Sequence, residues 1–297
     1  MADNGDGGVA LARRLRHELR VRPGHLDLAD VDPHGTPGLP DGEVPKGEAK
    51  DWSRAEVERL GSVLAGHQER LYARAVRGDR RRVLLVLQSM DCGGKDGTIK
   101  SVVRALNPQG VRVTAFGPPS PDELAQHFLW RVNRELPPAG QFGVFNRSHY
   151  EDVLVVRVRS LVPETVWRAR YDQINHFEAD LAADGLTIIK VMLHISPDEQ
   201  RERLIARLDD PTKRWKFRPG DLDDRALWSE YQTAYGDALN RCSTEAAPWY
   251  VVPADRKWYR NWAVANLLLA HLDELELTYP DVDYDVDALE HQIGSSG

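Results

Sequence analysis

The chain has 297 residues, of which 41% are hydrophobic and 29% charged, and its formal net charge is −7. This composition predicts a globular protein with a sizeable core and excludes a collagen, a coiled coil or a wholly disordered chain. Its apolar runs are too short for a transmembrane helix, and no signal peptide is visible at the N-terminus. Cys92 and Cys242 are too few for a disulfide framework, so we expect a cytoplasmic protein without a membrane partner.

The first predicted unit is an N-terminal arm over residues 1–52, rich in Gly, Pro and Asp. Its one periodic stretch predicts a short helix over Val9–Arg20, and the rest is expected to be irregular. Ser53 is followed three residues later by Glu56, which is the pattern of a helix N-cap. The sequence therefore predicts a long helix that begins at Ser53 and ends near Val76.

Residues 53–276 form the predicted main domain, in which short apolar runs alternate with amphipathic stretches. The apolar runs predict five strands, over Arg82–Gln88, Val111–Phe116, Phe142–Phe145, Leu186–Ile195 and Trp249–Val252. The amphipathic stretches predict helices over Thr98–Leu106, Asp122–Glu135, Glu164–Ala183, Asp198–Leu208, Trp228–Arg241 and Trp258–Leu275. Strands separated by helices imply right-handed βαβ units. We therefore expect an α/β fold with three αβα layers around a mostly parallel five-stranded sheet.

The segment Gln88-Ser-Met-Asp-Cys-Gly-Gly-Lys-Asp-Gly-Thr-Ile-Lys100 follows the first predicted strand and opens a helix, as a phosphate-binding loop does. Its glycines let backbone N–H groups face an anion, and Lys95 is placed to neutralise a phosphoryl group in transfer. The competing interpretation is a glycine-rich turn with an ordinary lysine, which the flanking strand and helix disfavour. The candidate phosphate ligands are Cys92, Gly93, Gly94, Lys95, Asp96, Gly97, Thr98, Lys100 and Arg104.

Two residues of this loop depart from the pattern G-x-x-x-x-G-K-[ST], and a third is unusual within it. Ser89 replaces the first glycine, and Asp96 replaces the hydroxyl residue that binds magnesium. Asp91 lies inside the loop, where phosphates repel a carboxylate unless a cation or a proton intervenes. We therefore name Asp91 as the candidate ligand of Mg²⁺. The alternative is that Asp91 orients the accepting phosphate.

Gln88–Lys100 resembles the phosphate loop of the polyphosphate kinase 2 family, which typically reads Q-G-M-D-A-G-G-K-D-G-T-I-K. Two further blocks carry the resemblance, Phe145-Asn-Arg-Ser-His-Tyr-Glu-Asp-Val-Leu154 and Arg207-Leu-Asp-Asp-Pro-Thr-Lys-Arg-Trp-Lys216. Their order and spacing agree with the family from about residue 55 to about residue 275. The resemblance implies a P-loop kinase fold with a helical basic lid, over about 207–228. It also implies Mg²⁺-dependent phosphoryl transfer between inorganic polyphosphate and a nucleotide, and a homo-oligomer, either a dimer or a tetramer.

The second block supplies further candidate site residues. Asn146 stands where many family members carry Asp, so metal binding there should be weaker. The form F-N-R-S-x-Y-E resembles the subgroup called class III, which accepts both AMP and ADP. The resemblance implies that Arg147 contacts phosphate and that Glu151 lies near the nucleotide, although Glu151 would also complement a helix N-terminus. Arg131, in a further family-like block, either binds the acceptor phosphate or forms a surface ion pair.

The predicted lid is strongly basic, because residues 201–218 contain seven basic and three acidic residues. These cations could line a channel for polyphosphate, which has about one charge per phosphate; the competing interpretation is a solvated helix face. Asp209-Asp210-Pro211 breaks the helix and Trp215 interrupts the charges, which favours a mobile, partly anchored lid that excludes water on closing. The basic residues are Arg201, Arg203, Arg207, Lys213, Arg214, Lys216 and Arg218.

The last predicted unit is an acidic tail over residues 277–297. From His271 onward the chain has eight Asp or Glu residues and no Lys or Arg, so the preceding part carries a net charge of +1. Apolar and acidic residues alternate over 281–287, which favours a solvated or partner-docking tail over a metal site. Because the remaining basic residues cluster, the negative net charge does not exclude a polyanionic partner.

Three functions remain open from the sequence. The first is phosphate transfer between polyphosphate and AMP or ADP, yielding ADP or ATP, with guanine nucleotides as further candidates and without a nucleic-acid partner. The second is an ATP-dependent nucleotide kinase of the thymidylate-kinase type. Asp96 is unfavourable for it, because a hydroxyl at this position normally holds the magnesium bound to ATP. The third is a non-enzymatic protein that binds polyphosphate or nucleotides.

Overall fold

The computed structural model describes residues 4–40, 42 and 44–295, and its centre is a five-stranded sheet. The strands are β1 (Arg82–Gln88), β2 (Val111–Ala115), β3 (Phe142–Asn146), β4 (Leu186–His194) and β5 (Trp249–Pro253). Their spatial order is β2-β3-β1-β4-β5, and all neighbouring strands are parallel, which confirms the predicted sheet. The central strand β1 is buried along its whole length, as its apolar sequence predicts for a strand covered on both faces.

Helices cover both faces of the sheet. They are α1 (Asn4–Leu19), α2 (Ala49–Ala75), α3 (Lys95–Val102), α4 (Pro121–Leu124), α5 (Trp130–Asn133), α6 (Val155–Val158), α7 (Glu164–Ala183), α8 (Pro197–Asp209), α9 (Gly220–Ala226), α10 (Trp228–Cys242), α11 (Lys257–Asp273) and α12 (Val286–Gly294). On one face, Leu60 of α2 and Trp262 of α11 share an apolar core with Val83 of β1. On the other, Ile174 of α7 shares a second core with Leu84. Alternate residues of β1 thus enter two cores, which confirms the three-layer architecture. Among the described residues, no helix combines the length and the hydrophobicity of a transmembrane span.

Several predicted helix boundaries are wrong: α1 begins at Asn4 and not at Val9, and α3 spans Lys95–Val102 and not Thr98–Leu106. Two further differences have a visible physical cause. α2 begins one turn before Ser53, and the Ser53 hydroxyl donates to the carbonyl oxygen of Trp258 at 2.8 Å. The side chain expected to cap α2 therefore joins it to α11. The helix predicted over 122–135 is divided into α4 and α5. The chain turns at His127, whose Nδ1 accepts a hydrogen bond from the backbone N–H of Leu129 at 3.4 Å and so competes with the helical pattern.

Residues of the predicted N-terminal arm lie against the main domain. Ala12 and Leu15 of α1 are buried in the core that contains α11. Beyond α1, the backbone N–H of Val21 donates to the carbonyl oxygen of Trp249 at 2.9 Å, beside the edge strand β5. The arm thereby covers an edge that would otherwise present unpaired backbone groups. The division of the chain into an arm, a domain and a tail stays a prediction.

A buried ion pair stabilises the turn that follows β3. Lys190 of β4 donates to Glu178 of α7 at 2.5 Å. It also donates to the hydroxyl of Tyr150 and to the carbonyl oxygen of Cys242, both at 2.7 Å. His149 lies 3.0 Å from the second carboxylate oxygen of Glu178. Because His149 and Tyr150 open the turn directly after β3, this cluster holds the turn to α7 and β4.

Replacing Lys190 by Met should lower the free energy of unfolding by about 3–5 kcal/mol, because Glu178 is left as an uncompensated buried charge. The double variant Lys190→Met/Glu178→Leu should recover most of this loss, since an apolar pair needs no counter-charge. Urea unfolding curves measure both effects.

The pH dependence of the single variant provides a second measurement. Without Lys190, burial raises the pKa of Glu178 above its ordinary value of 4.5, so stability should fall as the pH rises above that value. Equal losses of stability in the single and double variants would contradict the role given to the ion pair.

Candidate active site

The phosphate loop lies at the carboxyl end of β1, in the middle of the sheet, and α3 begins directly after it at Lys95. The backbone N–H of Gly93 donates to the carbonyl oxygen of Met90 at 3.1 Å, which closes the loop. Cys92 and Gly94 have positive φ angles of 62° and 108°. Glycine adopts this conformation freely, whereas a cysteine in it is strained, as residues of functional sites often are. The chain therefore has the strand, loop and helix that its sequence predicts.

Lys95 is buried inside this loop. Its Nζ donates to the backbone oxygen of Ser89 at 3.0 Å and to the Ser89 hydroxyl at 2.8 Å. The residue that replaces the first glycine of the pattern therefore supplies both acceptors. Burial, and then the neighbouring Arg147, lower the pKa of Lys95 to about 8. The amine is thus a charged group held by neutral oxygens, which a phosphate can replace as acceptors.

Arg147, at the end of β3, brings two predicted site residues together. Its φ angle is 65°, in the left-handed region. Its Nη2 donates to Oδ1 of Asp91 at 2.8 Å, and its Nη1 donates to Glu151 at 3.3 Å. Glu151 and Asp91 raise the pKa of Arg147, and burial opposes them. The three side chains form an ion-pair network beside the phosphate loop, with the guanidinium in a defined orientation.

Asp96 connects the phosphate loop to β3 and to the lid. Its Oδ1 accepts a hydrogen bond from Asn146 at 2.8 Å, and its Oδ2 accepts one from Lys216 at 2.9 Å. Burial alone would raise the pKa of Asp96, but Lys216 and Asn146 outweigh it and lower the pKa. An Asp at position 146 would place a second carboxylate against Asp96, whereas the amide of Asn146 donates to it. Asn146 thus joins the end of β3 to the start of α3 through a hydrogen bond.

The lid segment, residues 207–228, is attached to the loop by Lys216 and not by the predicted aromatic side chain. Trp215 is 77% exposed, and its described contacts stay inside the segment: its Nε1 donates to the carbonyl oxygen of Thr212 at 3.0 Å, and Nζ of Lys216 lies 5.2 Å from the centre of its ring. Arg207 donates to the carbonyl oxygen of Lys216 at 3.3 Å and to Asp221 at 3.4 Å, inside the segment. Lys213 pairs with Asp210, Arg214 donates to the carbonyl oxygen of Leu208, and the Arg218 side chain has no hydrogen bond or ion pair among the described residues.

Several predicted ligands lie apart from this cluster. Lys100 and Arg104 are exposed and lie beyond the first turn of α3. The Thr98 hydroxyl donates to the carbonyl oxygen of Gly94 at 3.1 Å. Arg131 donates to the carbonyl oxygen of Gly117 at 3.1 Å and lies 3.5 Å from Glu123, which is the surface ion pair of the second interpretation. Their roles as ligands stay predictions.

Two residues of α8 support the loop from behind, and the sequence did not identify either in this role. Arg203, expected in the polyphosphate channel, is turned inward and donates to the carbonyl oxygens of Cys92 at 3.0 Å and Gly93 at 3.3 Å. Gln200 donates to the carbonyl oxygen of Asp91 at 3.0 Å. The basic run indicated Arg203, but only the rotation of α8 against the loop determines which of its cations point inward.

In this structure a loop that contains a lysine joins the central parallel strand β1 to a helix, and an arginine directly follows β3, the neighbour of β1 in the sheet. This arrangement defines a kinase of the P-loop fold. The family model for polyphosphate kinase 2 matches residues 48–279. The chain belongs to the polyphosphate kinase 2 family, and the family resemblance of its three motifs is confirmed.

Individual relatives agree with this family. An AMP/ADP-polyphosphate phosphotransferase of Meiothermus ruber is 51% identical over 264 residues, which are 89% of this chain and 95% of the relative. An ADP-polyphosphate phosphotransferase of Rhodopseudomonas palustris is 43% identical and covers 77% of this chain and 80% of the relative. The crystal structure of polyphosphate kinase 2 from Arthrobacter aurescens superposes with a TM-score of 0.88 at 46% identity, covering 95% of this chain and 97% of the other.

The pH dependence of kcat/KM should report the titration of Lys95. Because the pKa of its amine in the free enzyme is lowered to about 8, kcat/KM for phosphate transfer should fall as the pH rises through that value. Bound phosphate raises the pKa, so kcat should persist to higher pH. In Lys95→Arg, whose guanidinium does not titrate, the residual activity should lack this decline. An unchanged decline in that variant would assign it to another group.

Proposed function

We propose that this protein transfers phosphate between inorganic polyphosphate and AMP or ADP, so that AMP is converted to ADP and ADP to ATP. The main support is the placement of the buried, charged Lys95 in the phosphate loop beside Arg147, under a basic lid. The Meiothermus ruber relative carries AMP and ADP in its name, and the form of the motif around Asn146 agrees with both acceptors.

The reaction needs no covalent enzyme intermediate. A terminal phosphate oxygen of the nucleotide attacks the terminal phosphorus of polyphosphate, and the bond to the oxygen of the shortened polymer breaks. Lys95 exchanges its bonds to Ser89 for bonds to the phosphoryl group and neutralises its charge. Arg147, oriented by Asp91 and Glu151, is placed to bind the acceptor phosphate.

The donor groups of the site fit Mg²⁺ as the metal of this reaction. Within the described part of the chain, no three His, Cys, Asp or Glu side chains gather into a metal site. A single carboxylate is enough when phosphate oxygens and water complete the coordination. Among described residues, Asp91 is bonded through Oδ1 alone, whereas both oxygens of Asp96 are occupied. Asp91 would therefore hold Mg²⁺, which when bound neutralises charge on the phosphates.

The competing functions have less support. A thymidylate-kinase type of enzyme needs a hydroxyl where Asp96 stands, and both carboxylate oxygens of Asp96 are occupied by Asn146 and Lys216. A purely binding protein has less support, because the named relatives are phosphotransferases. We further propose that the protein is cytoplasmic, consistent with the two free cysteines, and that it forms a dimer or a tetramer, as the family resemblance implies.

The assay that tests the function supplies AMP or ADP, Mg²⁺, and either polyphosphate or ATP as donor, and follows the product nucleotides. Polyphosphate should support formation of ADP and ATP, and Lys95→Met should reduce kcat by about 10²–10³-fold because one transition-state donor is lost. Arg168→Ala on α7, an exposed residue paired with Glu164, serves as the matched control and should stay active. Turnover with ATP alone as donor would favour the thymidylate-kinase type of function.

Replacing Asp91 by Asn tests the metal assignment. The variant keeps the shape and removes the charge, so it should raise the Mg²⁺ concentration needed for half-maximal rate and lower kcat by about two to four orders of magnitude. Glu151→Gln is the matched control, because it also removes a carboxylate from Arg147 and should leave the Mg²⁺ requirement unchanged. Equal Mg²⁺ requirements in Asp91→Asn and the wild type would favour the orienting role of Asp91.

A further inference from the structure

The sheet topology determines on which side of the phosphate loop the donor lies. In-line transfer places the attacking and leaving oxygens on opposite sides of the phosphoryl group. The strand order puts β3, with Arg147 and Glu151 after it, on one side of β1, and β4 and β5 on the other. If the acceptor nucleotide binds near Arg147, the polyphosphate donor must extend over β4, β5 and the start of α11. The position of the donor on this side rests on the proposed function.

Arg260 of α11 is buried directly against the phosphate loop on that side. A Cβ atom at Gly94 would lie 1.8 Å from its Nη1, and one at Gly97 would lie 3.1 Å from its Nη2. Glycine at position 94 is therefore needed for the close approach of this guanidinium as well as for its φ angle. Arg260 is only 3% exposed, and its Nε and Nη2 both donate to the amide oxygen of Asn261, at 3.1 and 2.8 Å.

The charge of Arg260 has no neutralising partner among the described residues. No carboxylate forms an ion pair with it, and burial, followed by the nearby Arg203, lowers its pKa to about 9. A guanidinium remains charged at neutral pH, and a buried charge is normally paired. Arg147 on the acceptor side differs, because two carboxylates contact it. An anion beside the loop would therefore compensate Arg260 without displacing an internal ion pair.

Lys257 continues this positive region toward solvent. It is the first residue of α11, and because it precedes Arg260 by three residues the two lie on the same helix face. It is exposed and has no ion pair among the described residues. Burial and Arg203, and then Arg260 and Lys213, lower the pKa of Lys257, whereas Glu199 raises it. The cations thus lie near one another, from the loop to the lid.

We propose that Arg260 and Lys257 form a binding subsite for the polyphosphate donor, holding the phosphate units that follow the transferred one, on the side of the loop opposite Arg147. Arg260 acts next to the loop and Lys257 acts farther along the polymer. Polyphosphate carries about one negative charge per phosphate, so it complements a row of cations that no carboxylates neutralise.

The test measures KM for tripolyphosphate, for long-chain polyphosphate and for the nucleotide in Lys257→Ala and Arg260→Met. Both variants should raise KM for the long polymer by about tenfold, as expected for loss of a charge-assisted contact. The slope of log KM against log salt concentration should flatten by about 0.7 for each charge removed. KM for the nucleotide should stay within about twofold, and Lys257→Ala should affect tripolyphosphate less than the long polymer.

Thermal unfolding distinguishes this role from a structural one. If Arg260 serves a bound anion, Arg260→Met should keep or raise the Tm of the free protein, because it removes an uncompensated buried charge, and should reduce the stabilisation by long-chain polyphosphate. A lower Tm with unchanged stabilisation by polyphosphate would overturn the role of Arg260. If Arg260→Met fails to fold, Lys257→Ala alone decides whether the subsite exists.

Arg168→Ala again controls for the loss of one cation. A wild-type protein that does not use polyphosphate would refute the proposed function itself. A wild-type protein that uses polyphosphate, with Lys257→Ala and Arg260→Met behaving as Arg168→Ala does, would refute the subsite alone. Equal rises in KM for nucleotide and polymer would also refute it.

Discussion

Positive charge buried without a carboxylate partner at the end of β1 constrains the rest of the site. Lys95 donates to the neutral oxygens of Ser89, and Arg260 donates to the amide oxygen of Asn261. Such charges oppose folding. The apolar cores on both faces of β1 offset this cost and keep the loop in place around its cations. An incoming phosphate can therefore bind them without first breaking an ion pair.

Each carboxylate named in the site, Asp91, Asp96 and Glu151, accepts a hydrogen bond that holds another side chain in place. Asp91 and Glu151 orient Arg147 after β3, while Asp96 joins the start of α3 to Asn146 and to Lys216 of the lid segment. Repulsion between these carboxylates and substrate phosphates is reduced because each carboxylate faces a cation or an amide donor. Among the described residues, the lid segment contacts the start of α3 through the ion pair of Lys216 with Asp96, and water and phosphates can compete for that contact.

The buried ion pair of Lys190 with Glu178 supports the site from the core, although neither side chain contacts the phosphate loop. It holds His149 and Tyr150, the first residues after Ser148, so the short turn after β3 cannot relax away from the loop. Arg147, with its positive φ angle, is placed between this cluster and Asp91. A left-handed arginine persists only where its surroundings hold it on both sides, and here they do.

The sequence by itself determined the features that depend on neighbours along the chain. The apolar run of β1, the glycines after it and Lys95 at the start of α3 predict the parallel sheet and the phosphate loop, because strand burial, loop geometry and helix start are local properties. The tertiary structure decided which side chains point into the site. Ser53 was expected to cap α2 and instead binds Trp258, and Arg203 was expected in the channel and instead supports the loop. The direction of each side chain depends on how its helix is rotated against a partner that is distant in sequence. Gln200, for example, donates to the carbonyl oxygen of Asp91, which lies 109 residues away along the chain. No local sequence pattern contains that rotation.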